Sequence, residues 1–240
     1  INIISITQRF SRKSTDKPIF PTKGSELDFS IEATPPYSLF SKKDYSELPP
    51  AERYRLLEFF KVKFNIAAYL KLTKNKLPTV LYPRAQYGFL GYYNDEVGHS
   101  PFERFFLGGD GLFGFNLDGR EIMALRGYSA PYVGLNSISE GGVVFNKYTL
   151  ELRQPISLSQ QATVWVHAFA EAGNAWTNYG EYNPLNLKRS VGGGVRIFLP
   201  IFGLLGIDYG WGLDEPGLTP EGSRLYQSGG QFHFMIGQQF

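Results

Sequence analysis

The chain has 240 residues with 24 Lys and Arg against 22 Asp and Glu, and a formal charge of +2 gives no electrostatic reason to seek nucleic acid. Twenty Phe, 15 Tyr and 3 Trp exclude a disordered chain, and the absence of Cys excludes a disulfide framework, a thiolate metal site and a cysteine nucleophile. The longest apolar stretch, 195–211, is broken by Arg196, Pro200, Gly203, Gly206 and Asp208, so it falls short of the roughly 18 unbroken apolar residues of a transmembrane helix.

In chain order, the dominant signal is period-two alternation. The first residue is Ile1 rather than Met, and Ile1-Asn2-Ile3-Ile4 already reads as strand. The expectation is that earlier strands precede it in the natural protein, with a weaker strand at 2–10. At 26–33, Leu27, Phe29, Ile31 and Ala33 alternate with Glu26, Asp28, Ser30 and Glu32. A long connection, 34–59, follows, and the helix-like patch at 50–60 belongs to a loop. At 61–72, Val62, Phe64, Ile66, Ala68, Leu70 and Leu72 face one way, with Lys61, Lys63, Asn65 and Lys71 opposite. That run exceeds the roughly 5–6 residues of a globular strand and suits a tilted strand crossing a bilayer, which needs about 9–11.

After a tight break at Thr73–Lys76 comes a weaker strand at 79–92, then the longest loop, 94–142. At 143–155, Val144, Tyr148, Leu150 and Leu152 oppose Lys147, Thr149, Glu151 and Arg153. At 161–173, Ala162, Val164, Val166, Ala168 and Ala170 point outward, against Thr163, Trp165, His167, Phe169 and Glu171. Strands at 188–199, 204–211 and 231–240 complete the series. Tight breaks (Thr73–Lys76, 157–159, 200–203) alternate with long loops (34–59, 94–142, 176–186, 213–229). Apolar-out, polar-in strands with short turns at one end and long loops at the other predict an all-β, antiparallel transmembrane β-barrel. About nine strands fit, whereas bacterial single-chain barrels use an even number.

The long loop reads Phe102-Glu103-Arg104-Phe105-Phe106-Leu107-Gly108-Gly109-Asp110 and then Leu125-Arg126-Gly127-Tyr128. This resembles the sixth extracellular loop of the BamA family of outer-membrane protein assembly factors, whose hallmark is a Val/Ile/Leu-Arg-Gly-Phe/Tyr tetrapeptide after an aromatic and Gly-Gly segment. Phe20-Pro21-Thr22-Lys23-Gly24-Ser25 is similar to that family's turn before its ninth strand, and the final strand ends on Phe240 as the family's sixteenth ends on an aromatic residue. The resemblance covers 1–240 and implies the last eight or nine strands of a 16-stranded barrel, with POTRA domains and N-terminal strands lying outside the sequence given. The chain departs from the pattern in the 110–124 segment, where many relatives have only a few residues.

The resemblance also implies a role for Arg126: it turns back into the lumen and meets acidic residues on the strands after the loop. Alternation supplies Glu151 and Glu171, each on the polar face of its strand. A guanidinium can bond two carboxylates through its fixed fork, and stranding either buried carboxylate is expected to cost about 3–5 kcal/mol. The role is a structural lock. His167 and His233 lack metal-ligand neighbours and His99 lies in a loop, so no metal site and no cofactor are expected. No Gly-x-Ser-x-Gly word is present, and Gly192-Gly193-Gly194 marks a close approach in a strand rather than a phosphate loop. Trp165, Trp176 and Trp211 read as girdle or lumen filler.

By resemblance, the chain is an outer-membrane insertase and not an enzyme. It offers a seam strand to unfolded β-barrel clients, working with accessory lipoproteins among outer-membrane lipid and lipopolysaccharide. The seam residues are Gly230, Phe232, Phe234, Ile236, Gly237 and Phe240, where Gly229, Gly230 and Gly237 weaken strand pairing. The alternatives are a two-partner-type secretion transporter of the same superfamily and a passive outer-membrane pore. The loops 34–59 and 94–142 are candidate docking surfaces for external partners.

Overall fold

A computed structural model describes residues 2–41, 43–109, 121–128, 141–214 and 230–237. Its strands are β1 (Ile6–Thr15), β2 (Gly24–Ala33), β3 (Phe60–Lys71), β4 (Val80–Gly91), β5 (Phe105–Leu107), β6 (Glu121–Met123), β7 (Val144–Leu158), β8 (Thr163–Trp176), β9 (Lys188–Leu199), β10 (Gly203–Gly212) and β11 (Gln231–Ile236). Nine of them form one antiparallel sheet in the order β1-β2-β3-β4-β7-β8-β9-β10-β11, while β5 and β6 pair in parallel inside the long connection. Apart from β5 and β6, which lie between β4 and β7, successive strands of the sheet are sequence neighbours, as in an up-and-down barrel wall.

One face of the sheet is covered by the long connection and is called inner here. Parity decides which side chains meet it. On β7, Phe145, Lys147, Thr149, Glu151 and Arg153 are buried, while Leu150 and Leu152 are exposed. On β8, Thr163, Trp165, His167, Phe169 and Glu171 are buried. On β9 and β10, Ser190, Arg196 and Asp208 point inward, and Val191, Val195, Ile197, Ile207 and Trp211 point outward. Charges thus line the covered face and aliphatic side chains line the open one, the inverse of a soluble sandwich and the arrangement of a wall facing lipid. Trp165 lies on the inner face, Trp176 is buried at the end of β8 against Tyr182, and Trp211 lies on the outer face.

The predicted strands are all present, with shifts that have physical causes. The first strand lies at Ile6–Thr15 rather than 2–10. β7 runs past Pro155 to Leu158, because a register shift between Pro155 and Ser157 absorbs the residue that cannot donate to the ladder. Pro83 sits within β4, and the β3–β4 register lapses between Ala67↔Arg84 and Leu70↔Leu81, which is why this strand is weak in sequence. The helix-like patch contributes only the four-residue helix α1 (Pro50–Arg53) to its loop. β11 is described over Gln231–Ile236, and Gly237 after it has φ +75°, outside the strand region; 238–240 lie outside the described residues. Phe240 and Gly229 lie outside the described residues.

The sheet curls. Asp16 organises the β1–β2 turn by accepting from Thr22 N (2.7 Å), Thr22 Oγ1 (2.7 Å) and Lys23 N (3.0 Å). That turn carries Phe20 edge-on against Trp165 of β8, with ring centroids 5.5 Å apart. Phe20 shares one buried cluster with Tyr69, Tyr82, Leu204 and Met235, which joins the β1–β2 turn to β3, β4, β10 and β11 across the inner face. A flat sheet could not bring these residues together.

Candidate functional site

Two layers of the inner face hold the long connection. The first is apolar. Phe105, Leu107, Leu125, Tyr128 and Val143 from the connection pack with Leu57, Phe59, Leu90, Phe145 and Ala175 into one cluster. The connection closes on itself through backbone bonds from Gly108 N to Met123 O (3.0 Å) and from Gly109 N to Tyr128 O (2.9 Å). The Gly-Gly pair and the tetrapeptide therefore meet directly. The 110–120 insertion between them lies outside the described residues and does not prevent that contact.

The second layer is charged and centres on Arg126, which is fully buried. Its Nη2 donates to Glu151 Oε1 (2.7 Å) and Glu171 Oε1 (2.8 Å), and its backbone N–H donates to Glu171 Oε2 (2.9 Å). Its Nη1 donates to Asp208 Oδ2 at 3.0 Å and lies 3.3 Å from His167 Nε2. The guanidinium also stacks over Phe169, 3.8 Å from the ring centroid. A planar cation that bonds in its plane and stacks on its face uses both properties that Lys lacks.

The wall carboxylates also have partners of their own. Glu151 accepts from Arg153 Nε at 2.7 Å, Glu171 pairs with Lys147 Nζ at 3.0 Å, and Asp208 accepts from Arg196 Nη2 at 2.5 Å. Among the described residues, this cluster sets four cations against three carboxylates. Lys147 additionally donates to Ala124 O (2.5 Å), so it grips the connection as well as the wall.

The rest of the tetrapeptide lies on bare strand. Gly127 has φ +90°, and a Cβ there would stand 2.8 Å from the Trp211 carbonyl carbon. On the opposite side, a Cβ on Gly210 would stand 2.9 Å from Gly127 N. Backbone meets backbone here, which is possible only without side chains. Gly127 N donates to His233 Nε2 of β11 at 2.7 Å. Tyr128 OH donates to Arg189 O (2.7 Å) and accepts from Asp214 N (3.2 Å). Burial pushes the Tyr128 hydroxyl up to about 12, so it stays protonated and donates.

The structure brings Leu125, Arg126, Gly127, Tyr128, Glu151 and Glu171 together. Of the seam residues, Phe232, Phe234 and Ile236 lie exposed on the outer face of β11, with Gly230 and Gly237 at its two ends. His167 and His233, read from the sequence only as lacking metal-ligand neighbours, also join the site: His167 lies against both Arg126 and Asp208, and His233 accepts from the Gly127 amide. Asp208, Arg196, Lys147, Phe169 and Gly210 were not singled out either. Their shared inward parity was the available signal, but nothing local marks which inward residues meet the loop.

A model of the Omp85 superfamily domain matches residues 2–240. No curated protein sequence matches the chain. The chain is similar to the crystal structure of BamA from Haemophilus ducreyi lacking POTRA domains 1-3, at 18% identity and a TM-score of 0.65, over 96% of this chain and 41% of that one. At that identity the likeness speaks to fold: the curled sheet is part of a barrel wall and its inner face is the lumen side. The chain spans well under half the length of that protein.

Proposed function

The chain belongs to the Omp85 superfamily, and from that premise we propose that this outer-membrane barrel protein folds and inserts other β-barrel proteins through a seam at β11. The observation that carries this reading is the weakness of the last ladder. Among the described residues, β11 pairs with β10 at six register positions, from Leu205↔Ile236 to Gly210↔Gln231, while β7 and β8 pair from Val144↔Trp176 to Leu158↔Thr163. Gly237, with positive φ, breaks the strand conformation after Ile236, though its N–H still donates to Leu204 O of β10 (2.7 Å). A client strand needs unpaired backbone N–H and C=O groups on which to template. A strand held by few pairs is the least expensive place in a closed wall to expose them. The outer residues of β11, Phe232, Phe234 and Ile236, are more than half exposed or nearly so (66%, 50% and 65%), so an arriving strand would continue an apolar surface.

On this reading the partners are unfolded barrel clients, accessory lipoproteins and the surrounding outer-membrane lipid, including lipopolysaccharide. The protein needs no catalytic residue, because client folding supplies the free energy. The test is conditional depletion of the full-length protein in its own host, reading outer-membrane protein levels. Many barrel proteins should fall together, and a version whose β11 is joined by disulfide to the first barrel strand should fail to restore them until reduced. Unchanged barrel proteins with loss of one secreted protein would refute the insertase reading and match a secretion transporter.

A further inference from the structure

We propose that His233 makes the loop a latch on the seam, so that release of the Leu125–Tyr128 motif and movement of β11 are one coupled event. This rests on the insertase reading for its purpose but on geometry for its existence.

The motif grips the wall in two places. Arg126 reaches β7, β8 and β10 through Glu151, Glu171 and Asp208. Gly127 reaches β11 through the His233 ring. That ring is 2% exposed and sits directly opposite Asp208 in the β10–β11 register. The ladder with the fewest pairs among the described residues of the nine-stranded sheet therefore carries a buried contact to the loop. If β11 moves away, the Gly127 N–H bond to the His233 ring breaks while Gly127 still faces the bare backbone of Gly210. Losing a buried hydrogen bond is unfavourable, so the loop loosens.

The charge pairs explain why the loop can leave at all. Glu151, Glu171 and Asp208 keep Arg153, Lys147 and Arg196 when Arg126 departs, so no carboxylate is stranded on the wall. A loop meant only as permanent filler would need no such duplicate set. By reciprocity, whatever moves β11 also favours release of the loop, and whatever holds the loop holds the seam.

The experiment uses the full-length protein in outer-membrane vesicles with Met123→Cys, a partly exposed position of β6, as reporter of loop release by maleimide labelling. His233→Leu keeps bulk but removes the acceptor, whereas His233→Gln keeps an acceptor oxygen. The Leu variant should label about tenfold faster, the equivalent of about 1.4 kcal/mol. The Gln variant should stay within about twofold of the parent. A second arm joins Ile207→Cys to Phe234→Cys, partners across the β10–β11 register, which pins β11. The disulfide should slow labelling when His233 is present and have no effect beside His233→Leu. Heat-modifiable gel mobility confirms that each variant is folded. Equal labelling of the parent and the Leu variant, or a disulfide effect independent of residue 233, overturns the latch. Neither readout measures clients, so a working latch with undiminished barrel assembly would sustain this proposal and refute the insertase reading.

Discussion

Arg126 is the residue on which the loop turns, and its value differs from what sequence suggests. With only Glu151 and Glu171 in view, its removal strands buried carboxylates, an expected loss of about 3–5 kcal/mol. The structure gives each carboxylate a second cation, so the loss reduces to charge-assisted hydrogen bonds at about 1.5–3 kcal/mol. Arg126→Ala should therefore fold and lower barrel stability by about that amount, read from urea unfolding of the full-length protein in bilayers. Arg126→Lys should recover less than half, because an ammonium cannot reach Glu151, Glu171 and Asp208 in one plane while stacking on Phe169. A loss above about 5 kcal/mol would mean the wall pairs do not stand alone. Glu151 and Glu171 were legible because alternation fixes parity and the resemblance says what parity is for. Asp208 and His233 have the same parity but sit three and four strands along the wall, and one sequence does not show how far a loop reaches.

At the scale of elements, the strands were legible and the seat of the loop was not. A glycine in a strand reads as a weakness or a bend, yet Gly210 is a landing place for another stretch of backbone. The two meanings separate under substitution. Gly210→Val raises strand propensity, so a glycine that merely weakened β10 would be improved by it. Here the new side chain meets Gly127, whose N stands 2.9 Å from the Cβ position. The expected outcome is an intact ladder with an unseated loop: normal heat-modifiable mobility, together with several-fold faster protease cleavage of the 92–143 connection in intact cells. Cleavage at the parent's rate would show that the motif does not rest on β10. The β5–β6 pair escaped sequence reading for a related reason: three-residue strands paired in parallel leave no periodic trace long enough to detect.

At the scale of the whole molecule, the distribution of charge says which solvent each face meets. Arg126, Lys147, Arg153 and Arg196 are buried on the inner face, while Leu150, Leu152, Ile207 and Phe234 stand in the open. In water that order would be unstable on both sides, since apolar area is left exposed and charge is withdrawn. With lipid outside, the exposed aliphatic face is solvated and the charges have a polar interior. The test is to move one charge. Leu150 lies mid-strand on β7 and is 46% exposed, whereas Leu39 lies in the 34–59 connection and is 59% exposed. In water the two sites would tolerate Arg equally, because surface substitutions at such exposure change stability by about 0.5 kcal/mol or less. In a bilayer, Leu150→Arg should lose about 2–4 kcal/mol, since the guanidinium sits near the midplane, and Leu39→Arg should lose almost nothing. Unfolding midpoints of the full-length protein in lipid vesicles would read the difference. Equal midpoints would place the outer face against protein or water, and the barrel wall would then have to pack against something other than lipid.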